Sequence, residues 1–511
     1  MKNISSFLLA LSLSVSPAAT LAAQDNKELA ARNSELSKEV IADFTQTVSD
    51  AIEILHTSHV KQVCRDELLR WAVEGLYRGV NEEIPGSLAN RLGANDIVRK
   101  SDVATLLSDA RKHLGRRRSL ESLKDIDHAL EGIFRKLEPG TRQQPQEKLR
   151  AMPLCVLLAY SPAGIGVRLG KEPRTGQLQV ISPIKDGPAY LAKVFAKDIV
   201  TSIMSEVAEG DKIVQHTLIP KKSSVTEIEQ FLLGKPGTKV RLTIQRPGLD
   251  KSLELAMLRA PVEPETTLGV RRKPDDSWDF MLDPRSKVGY AQVVRFGRHT
   301  GRDLSLALAC LDQQGIKGLI LDLRFSEGRL FDAALSVCNH FVQDGKVVTI
   351  RSRAGEEDSW PAQKRDHPTK VPMVCLINNT CAGASEIVAA CLQDNRRAAV
   401  AGERSAGDVG IETLVALKGG QLRFKSAVMV RPSGKNIAKF MTSGRETETW
   451  GVVPDPDLEV RLSSKERRSL EKYLQEQEII RNREQRGESR EVDVPDRQLE
   501  AALSHLRRFL R

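Results

Sequence analysis

Two short stretches hold the residues best suited to covalent chemistry. The first is Cys381-Ala382-Gly383-Ala384-Ser385-Glu386, which brings a thiol and a hydroxyl close together in the chain. Either could attack a carbonyl if a neighbouring base took its proton. The second holds Asp408 and Glu412, two carboxylates one helical turn apart, a pair able to activate water if their environments separate their pKa values. Each has a plainer reading. Ser385 stands where a helix begins and reads as an N-cap. Cys381 has no identifiable base. The two acids read as solvated or paired with arginines such as Arg404. A third stretch suits binding. Gly164-Ile165-Gly166-Val167 is a glycine-flanked loop before a strand, able to aim backbone N–H groups at a carboxylate, and the adjoining strand edge and helix make a groove for an extended peptide. The 9 histidines are scattered without metal-ligand spacing, so no metal or other cofactor is expected.

The elements that must position these residues follow from periodicity. Over 285–460, VGYAQVVRF, IKGLILDLRF, KVVTIRS, VPMVCLINN and RAAVAGE read as strands. DLSLALACLDQQG, FDAALSVCNHFV and SEIVAACLQD read as helices between them. Strands this apolar, alternating with helices, predict an α/β domain whose sheet is covered on both faces. Over 160–248, glycine and proline punctuate short β-branched runs, which predicts a small β-rich domain with helices at PAYLAKVF and SVTEIEQFLL. Residues 24–150 read as helical. Leu36, Val40, Phe44, Val48, Ile52 and Leu55 lie on one helical face, and a second helix starts near Asp66 as N-cap. An internal echo links Ala72-Val73-Glu74-Gly75-Leu76-Tyr77-Arg78 with Ala129-Leu130-Glu131-Gly132-Ile133-Phe134-Arg135, and helix chemistry alone could produce it. Residues 461–511 read as a charged helical tail whose ERRSLEKYLQEQEIIRNREQRGESRE run is a solvated helix or linker. It ends in an amphipathic helix marked by Leu499, Leu503, Leu506 and Leu510.

Composition narrows the classes. Of 511 residues, 40% are hydrophobic and 28% charged, as in a folded protein with sizeable cores. Aromatics at 4% argue against stacking platforms for single-stranded nucleic acid. The 7 cysteines are too few for a disulfide scaffold, and no pairing can be deduced from them. Met1-Lys2, the apolar run Phe7 to Val15 and the small residues Ala18 to Ala23 have the form of a secretory signal over 1–23. An exported protein, periplasmic or in the cell envelope, is therefore expected. The net charge of +10 and the basic cluster Arg111 to Arg118 fit peripheral contact with an anionic envelope surface or plain solvation, and nucleic acid is not an expected partner.

The ordered motifs resemble the carboxyl-terminal processing proteases, tail-specific serine proteases with a PDZ domain. In the β-rich region the resemblance rests on Gly164-Ile165-Gly166-Val167, Gly187-Pro188-Ala189 and Gly234-Lys235-Pro236-Gly237, with Val194–Gly210 departing as an apparent insertion. In the α/β region it rests on Gly318-Leu319-Ile320-Leu321-Asp322-Leu323-Arg324, Ala384-Ser385-Glu386-Ile387-Val388-Ala389-Ala390, Gly402-Glu403-Arg404-Ser405, Arg431-Pro432-Ser433-Gly434-Lys435 and Trp450-Gly451-Val452-Val453-Pro454-Asp455. The tail Asp496-Arg497-Gln498-Leu499 also fits. The resemblance implies a multidomain α+β chain: a helical N-terminal region, a PDZ-like peptide-binding domain at 160–250 and a crotonase-like α/β core at 251–460.

It also implies a chemistry. In the family a serine attacks, a buried neutral lysine takes its proton, a glutamine orients the lysine, and backbone N–H groups stabilise the oxyanion. Carried over by motif, these positions fall on Gly383, Asp408 and Glu412, with Gly328 and Ala384 at the oxyanion loop and Arg329 in place of a glycine. A glycine forms no acyl-enzyme, and an aspartate is an anion that resists burial. The resemblance therefore implies a degenerate member that binds protein or peptide C-termini through Gly164, Ile165, Gly166 and Val167 without cutting them, with an active protease relative as a further partner. The alternative is an active serine endopeptidase that uses relocated residues.

Overall fold

In the computed structural model the described residues are 37–93, 99–138, 163–209, 212–326, 328, 330–365, 369–417, 420–481 and 494–510. The expected signal at 1–23 and residues Cys155, Glu327 and Arg329 lie outside them. The chain divides into two compact units, one of 1–151 with Glu412–Ser426, the other of Met152–Ile411 with Ala427–Arg511.

The first unit is built from α1 (Lys38–Ser58), α2 (Arg65–Gly79), α3 (Gly86–Gly93), α4 (Lys100–Leu114) and α5 (Lys124–Leu137). Phe44, Val48, Ile52 and Leu55 of α1 are buried as their spacing predicts, whereas Val40, in the first turn, is 44% exposed. Helix α2 begins after Cys64, not at an Asp66 cap; Asp66 and Glu67 lie in its first turn, where acids complement the positive helix end. The echoed heptapeptides are the C-terminal half of α2 and the centre of α5, and they pack on one another. A Cβ on Gly75 would lie 2.6 Å from Cα of Gly132 and 2.3 Å from the His128 carbonyl oxygen. The echo is thus two copies of a small-residue notch that lets two helix backbones meet. Leu422 and Phe424 of Glu412–Ser426 complete this core, which reading the sequence did not foresee.

The second unit opens with the β-rich region: β1 (Val167–Lys171), β2 (Leu178–Pro183), α6 (Pro188–Leu191), β3 (Ile199–Glu209), β4 (Lys212–Leu218), α7 (Val225–Leu232), β5 (Lys239–Gln245) and β6 (Leu253–Leu258). Its sheet runs β1-β2-β3-β5-β6, with β4 paired to β3, so β1 is an edge strand. The stretch that looked like an insertion forms much of the β3–β4 hairpin. Helix α6 is one turn only, because Lys193 takes a left-handed φ of 59° and ends it.

Short strands β7 (Thr267–Leu268), β8 (Arg271–Arg272), β9 (Trp278–Asp279) and β10 (Met281–Asp283) lead into the α/β region. There β11 (Val288–Val293), α8 (Thr300–Gln313), β12 (Gly318–Asp322), α9 (Phe331–Asn339), β13 (Lys346–Ser352), β14 (Glu357–Pro361), β15 (Met373–Ile377), α10 (Ala384–Asp394) and β16 (Ala399–Gly402) follow in order. Strands β11, β12, β15 and β16 pair in parallel. Every residue of β11, β12 and β15 is buried, which requires cover on both faces. The chain continues through β17 (Ile411–Leu417) and β18 (Gly420–Val430), then α11 (Ser464–Gln477) and α12 (Arg497–Phe509). Ala502 and Leu506 of α12 pack on Val288, Ile320 and Val374, one side chain face of that sheet.

Two interactions tie α12 in place. Arg324, wholly buried at the end of β12, donates to both carboxylate oxygens of Asp322, to both of Asp496 and to Gln498 Oε1. Arg507 reaches Asp283 at 2.6 Å and holds that carboxyl down at about 2.

Candidate functional site

The loop from β15 to α10 carries the candidate residues. Gly383 is the residue that caps α10, with φ 64° and ψ −115°. That φ is in the left-handed region, which glycine enters without the Cβ penalty. Ser385 is therefore not the N-cap; it is the second helical residue, wholly buried, and its Oγ donates to the Ala382 carbonyl at 3.1 Å. Cys381 is also wholly buried, with Sγ donating to the Leu323 carbonyl at 3.0 Å, and burial pushes its thiol up to about 12. Neither side chain is a poised nucleophile at neutral pH.

Glu386 organises the site, a role that reading the sequence missed. Its carboxylate is fully buried and accepts four hydrogen bonds. Oε1 takes Ser405 Oγ at 2.5 Å and the Gly407 N–H at 2.6 Å; Oε2 takes the Asp408 N–H at 2.9 Å and the Gly383 N–H at 3.2 Å. Burial raises its pKa to about 7, the nearby Asp408 charge adds to this, and the donors oppose it. The available signal was its position three residues after the cap, where an acidic side chain reaches back to the cap N–H.

The segment opposite is pinned as well. Ser405 Oγ accepts the Val452 N–H at 2.8 Å, and the Ser405 N–H donates to the Val452 carbonyl at 3.0 Å. Trp450 packs nearby, with Arg404 4.6 Å and Lys439 4.2 Å from its ring centroid. Asp408 is half-buried in this segment. Glu412 belongs to the first unit and faces Arg423 at 3.6 Å. The two acids are thus allotted to different units, and the arginine beside Glu412 is Arg423.

At the oxyanion-loop positions, Phe325 has φ 59° and Gly328 φ 91°. A Cβ on Gly328 would sit 2.6 Å from the Phe296 carbonyl oxygen, so glycine is required there. Ala384 is buried at the first position of α10.

In the β-rich region, Ile165 is buried in the same cluster as Leu169, Ile228 and Leu232, so an apolar floor lies between the edge strand β1 and α7. Gly166 has φ 70°, with the Val262 side chain 2.9 Å from where a Cβ would stand. Val167 is half-buried at the start of β1. Gly164 corrects the expectation that it donates to a ligand. Its N–H already donates to the Ala260 carbonyl at 3.0 Å, in an antiparallel bridge that closes the region. No cluster of His, Cys, Asp and Glu able to hold a metal occurs among the described residues.

Comparison with known proteins places these features in a lineage. The sequence profile of peptidase family S41 matches residues 287–457. The chain is 30% identical over 348 residues to the carboxy-terminal-processing protease of Bartonella bacilliformis, covering 67% of this chain and 71% of that protein. It is 29% identical over 350 residues to the carboxyl-terminal-processing protease of Synechocystis sp., covering 68% and 74%. Among solved structures, a photosystem II D1 C-terminal processing protease is similar with a TM-score of 0.39 and 22% identity, over 82% of this chain and 93% of that one.

Proposed function

We propose, for a chain that belongs to the carboxy-terminal-processing protease family, peptidase family S41, that it captures the C-termini of proteins and does not cut them. The observation that carries the reading is the pairing of Gly383 and Asp408 around one carboxylate. Glu386 holds the backbone of both. In the matched motifs these are the positions of the attacking serine and the lysine base. The frame is retained, but at one end there is no side chain and at the other an anion. An acyl-enzyme needs a nucleophilic atom and a neutral base within reach of it, and neither residue supplies one.

Binding falls to the β-rich region, read as a PDZ-like module beside a crotonase-like core. A peptide adds to the open edge of β1, its apolar last side chain sits over Ile165, Ile228 and Leu232, and its carboxylate meets the N–H groups of the Ile165–Val167 turn. Strand addition of this kind draws affinity from main-chain hydrogen bonds and specificity from the pocket. The reading as an exported adaptor or scavenger in the envelope, working beside an active relative, extends this proposal. The alternative of relocated catalysis is disfavoured by the burial of Ser385 and by the high pKa of Cys381.

The test is to incubate the full chain with a protein ending in apolar residues, following cleavage by mass spectrometry and binding by anisotropy. Binding without cleavage, lost on amidating the C-terminus and weakened at least tenfold by Gly166→Ala, is the expected result. Cleavage abolished by Ser385→Ala but untouched by Gly383→Ala would overturn it.

A further inference from the structure

The tail reads as a solvated helix or linker, yet the residues that follow α11 are held. Segment Glu478–Ile480 lies against β1 and β2 and is itself part of the wall of a cleft of about 690 Å3 between the β-rich region, the α/β region and α11. Glu478 Oε2 is 2.7 Å from Nη1 of Arg168. Its carbonyl accepts from Arg272 at 3.4 Å. Two residues on, the Ile480 N–H donates to Ser182 Oγ at 3.0 Å, and the Ile480 side chain is only 2% exposed.

Glu478 is the C-cap of α11, still in the right-handed helical region, and the segment that leaves the helix there makes contacts by which a protein surface grips a peptide: a backbone carbonyl to a donor, a backbone N–H to an acceptor, an acid to an arginine, and an apolar side chain out of water. We propose that Arg168, Ser182 and Arg272, on the wall of this cleft, form a second peptide-binding site, distinct from the groove between β1 and α7, and that Glu478-Ile479-Ile480 is its resident ligand. The class it takes is a peptide with an acid two residues before an apolar side chain. Recognition there uses no terminal carboxylate, and the inference stands whether or not the chain cuts peptides.

The grip is releasable. The Arg168 and Glu478 side chains are 41% and 26% exposed, so water screens their attraction. The tether favours the resident all the same, because a short linker gives an effective concentration on the order of millimolar. A peptide in trans therefore competes poorly until the resident is weakened.

The probe is a fluorescent, C-terminally amidated peptide with the sequence of 475–481, Gln-Glu-Gln-Glu-Ile-Ile-Arg, which cannot use a carboxylate site. The full chain carrying Glu478→Ala and Ile480→Ala should bind it saturably, at least tenfold tighter than the wild-type chain. Adding Arg168→Ala, or changing the fourth peptide residue to lysine, should abolish the difference. Equal binding to both chains, or none to a folded double variant, overturns the proposal. Should the double variant not fold, the single surface change Glu478→Ala decides by hydrogen exchange. The Ile480 amide should then exchange at least tenfold faster, and an unchanged rate overturns the proposal.

Discussion

The Oε2 atom of Glu386 accepts the N–H of Asp408 at 2.9 Å and that of Gly383 at 3.2 Å, so one buried carboxylate spans both ends of the candidate site. Its protonation is therefore tied to stability. The folded pKa of about 7 exceeds the ordinary 4.5, so the folded state keeps the proton longer than the unfolded chain. The stabilisation is complete below about 4.5 and is lost as pH rises through 7, a change on the order of 3 kcal/mol. Denaturant unfolding from pH 4 to 8 should show this decline. Glu386→Gln should flatten it and lower stability by about 1–3 kcal/mol, because an amide N–H2 then faces N–H donors. A slope that survives in the variant assigns the titration to another group.

Gly383→Ser restores a hydroxyl at the candidate nucleophile position. The residue has φ 64°, so any Cβ costs about 1–2 kcal/mol there. The variant should melt several degrees lower in calorimetry and release no product from a tail-bearing substrate. Turnover by this single variant would mean that some group other than the residue at 408 takes the proton.

Gly75→Ala sets two effects against each other. Alanine gains about 1 kcal/mol of helix propensity. Its Cβ, however, meets the Gly132 Cα at 2.6 Å and the His128 carbonyl oxygen at 2.3 Å, both main-chain atoms that cannot swing away. Overpacking should win, with a net loss of about 3 kcal/mol. Gly132→Ala should match it, since its Cβ would lie 2.2 Å from the Trp71 carbonyl oxygen. A stabilised variant in thermal unfolding contradicts the notch.

Thiol labelling distinguishes Cys64, which is exposed, from Cys381, which is buried with a thiol pushed up to about 12. At pH 7.5 a maleimide should modify Cys64 within minutes and leave Cys381 intact until the chain unfolds. Peptide mapping reads this directly, and early modification of Cys381 would reopen it as a nucleophile.

What the sequence disclosed depended on how local the cause was. Strands β11, β12 and β15 could be read because burial on both faces leaves unbroken apolar runs. The Gly75 and Gly132 echo was visible, but its meaning was not, since nothing local says that two notches face each other. Gly164 was misread for a related reason: its N–H is taken by Ala260, a partner far along the chain. Ser385 missed the cap by two residues because Gly383 ends the loop with a backbone that only its φ reveals. The gripping of Glu478 and Ile480 was hidden in a run whose composition looks solvated, because the buried Leu470 and Ile480 are scattered among charged residues.

The arginine at the end of β12 has a consequence for the timing of synthesis. Arg324 finds Asp322 at once, but Asp496 is 172 positions further on. At about 5–20 residues per second, roughly 10–30 s pass before that second carboxylate is made. Until then a guanidinium destined for the interior has half its partners, and the sheet face that α12 will cover stays open. The segment from Asp496 on thus acts as a completion check: a chain truncated before it retains every described strand, yet leaves the buried Arg324 with Asp322 as its remaining carboxylate partner.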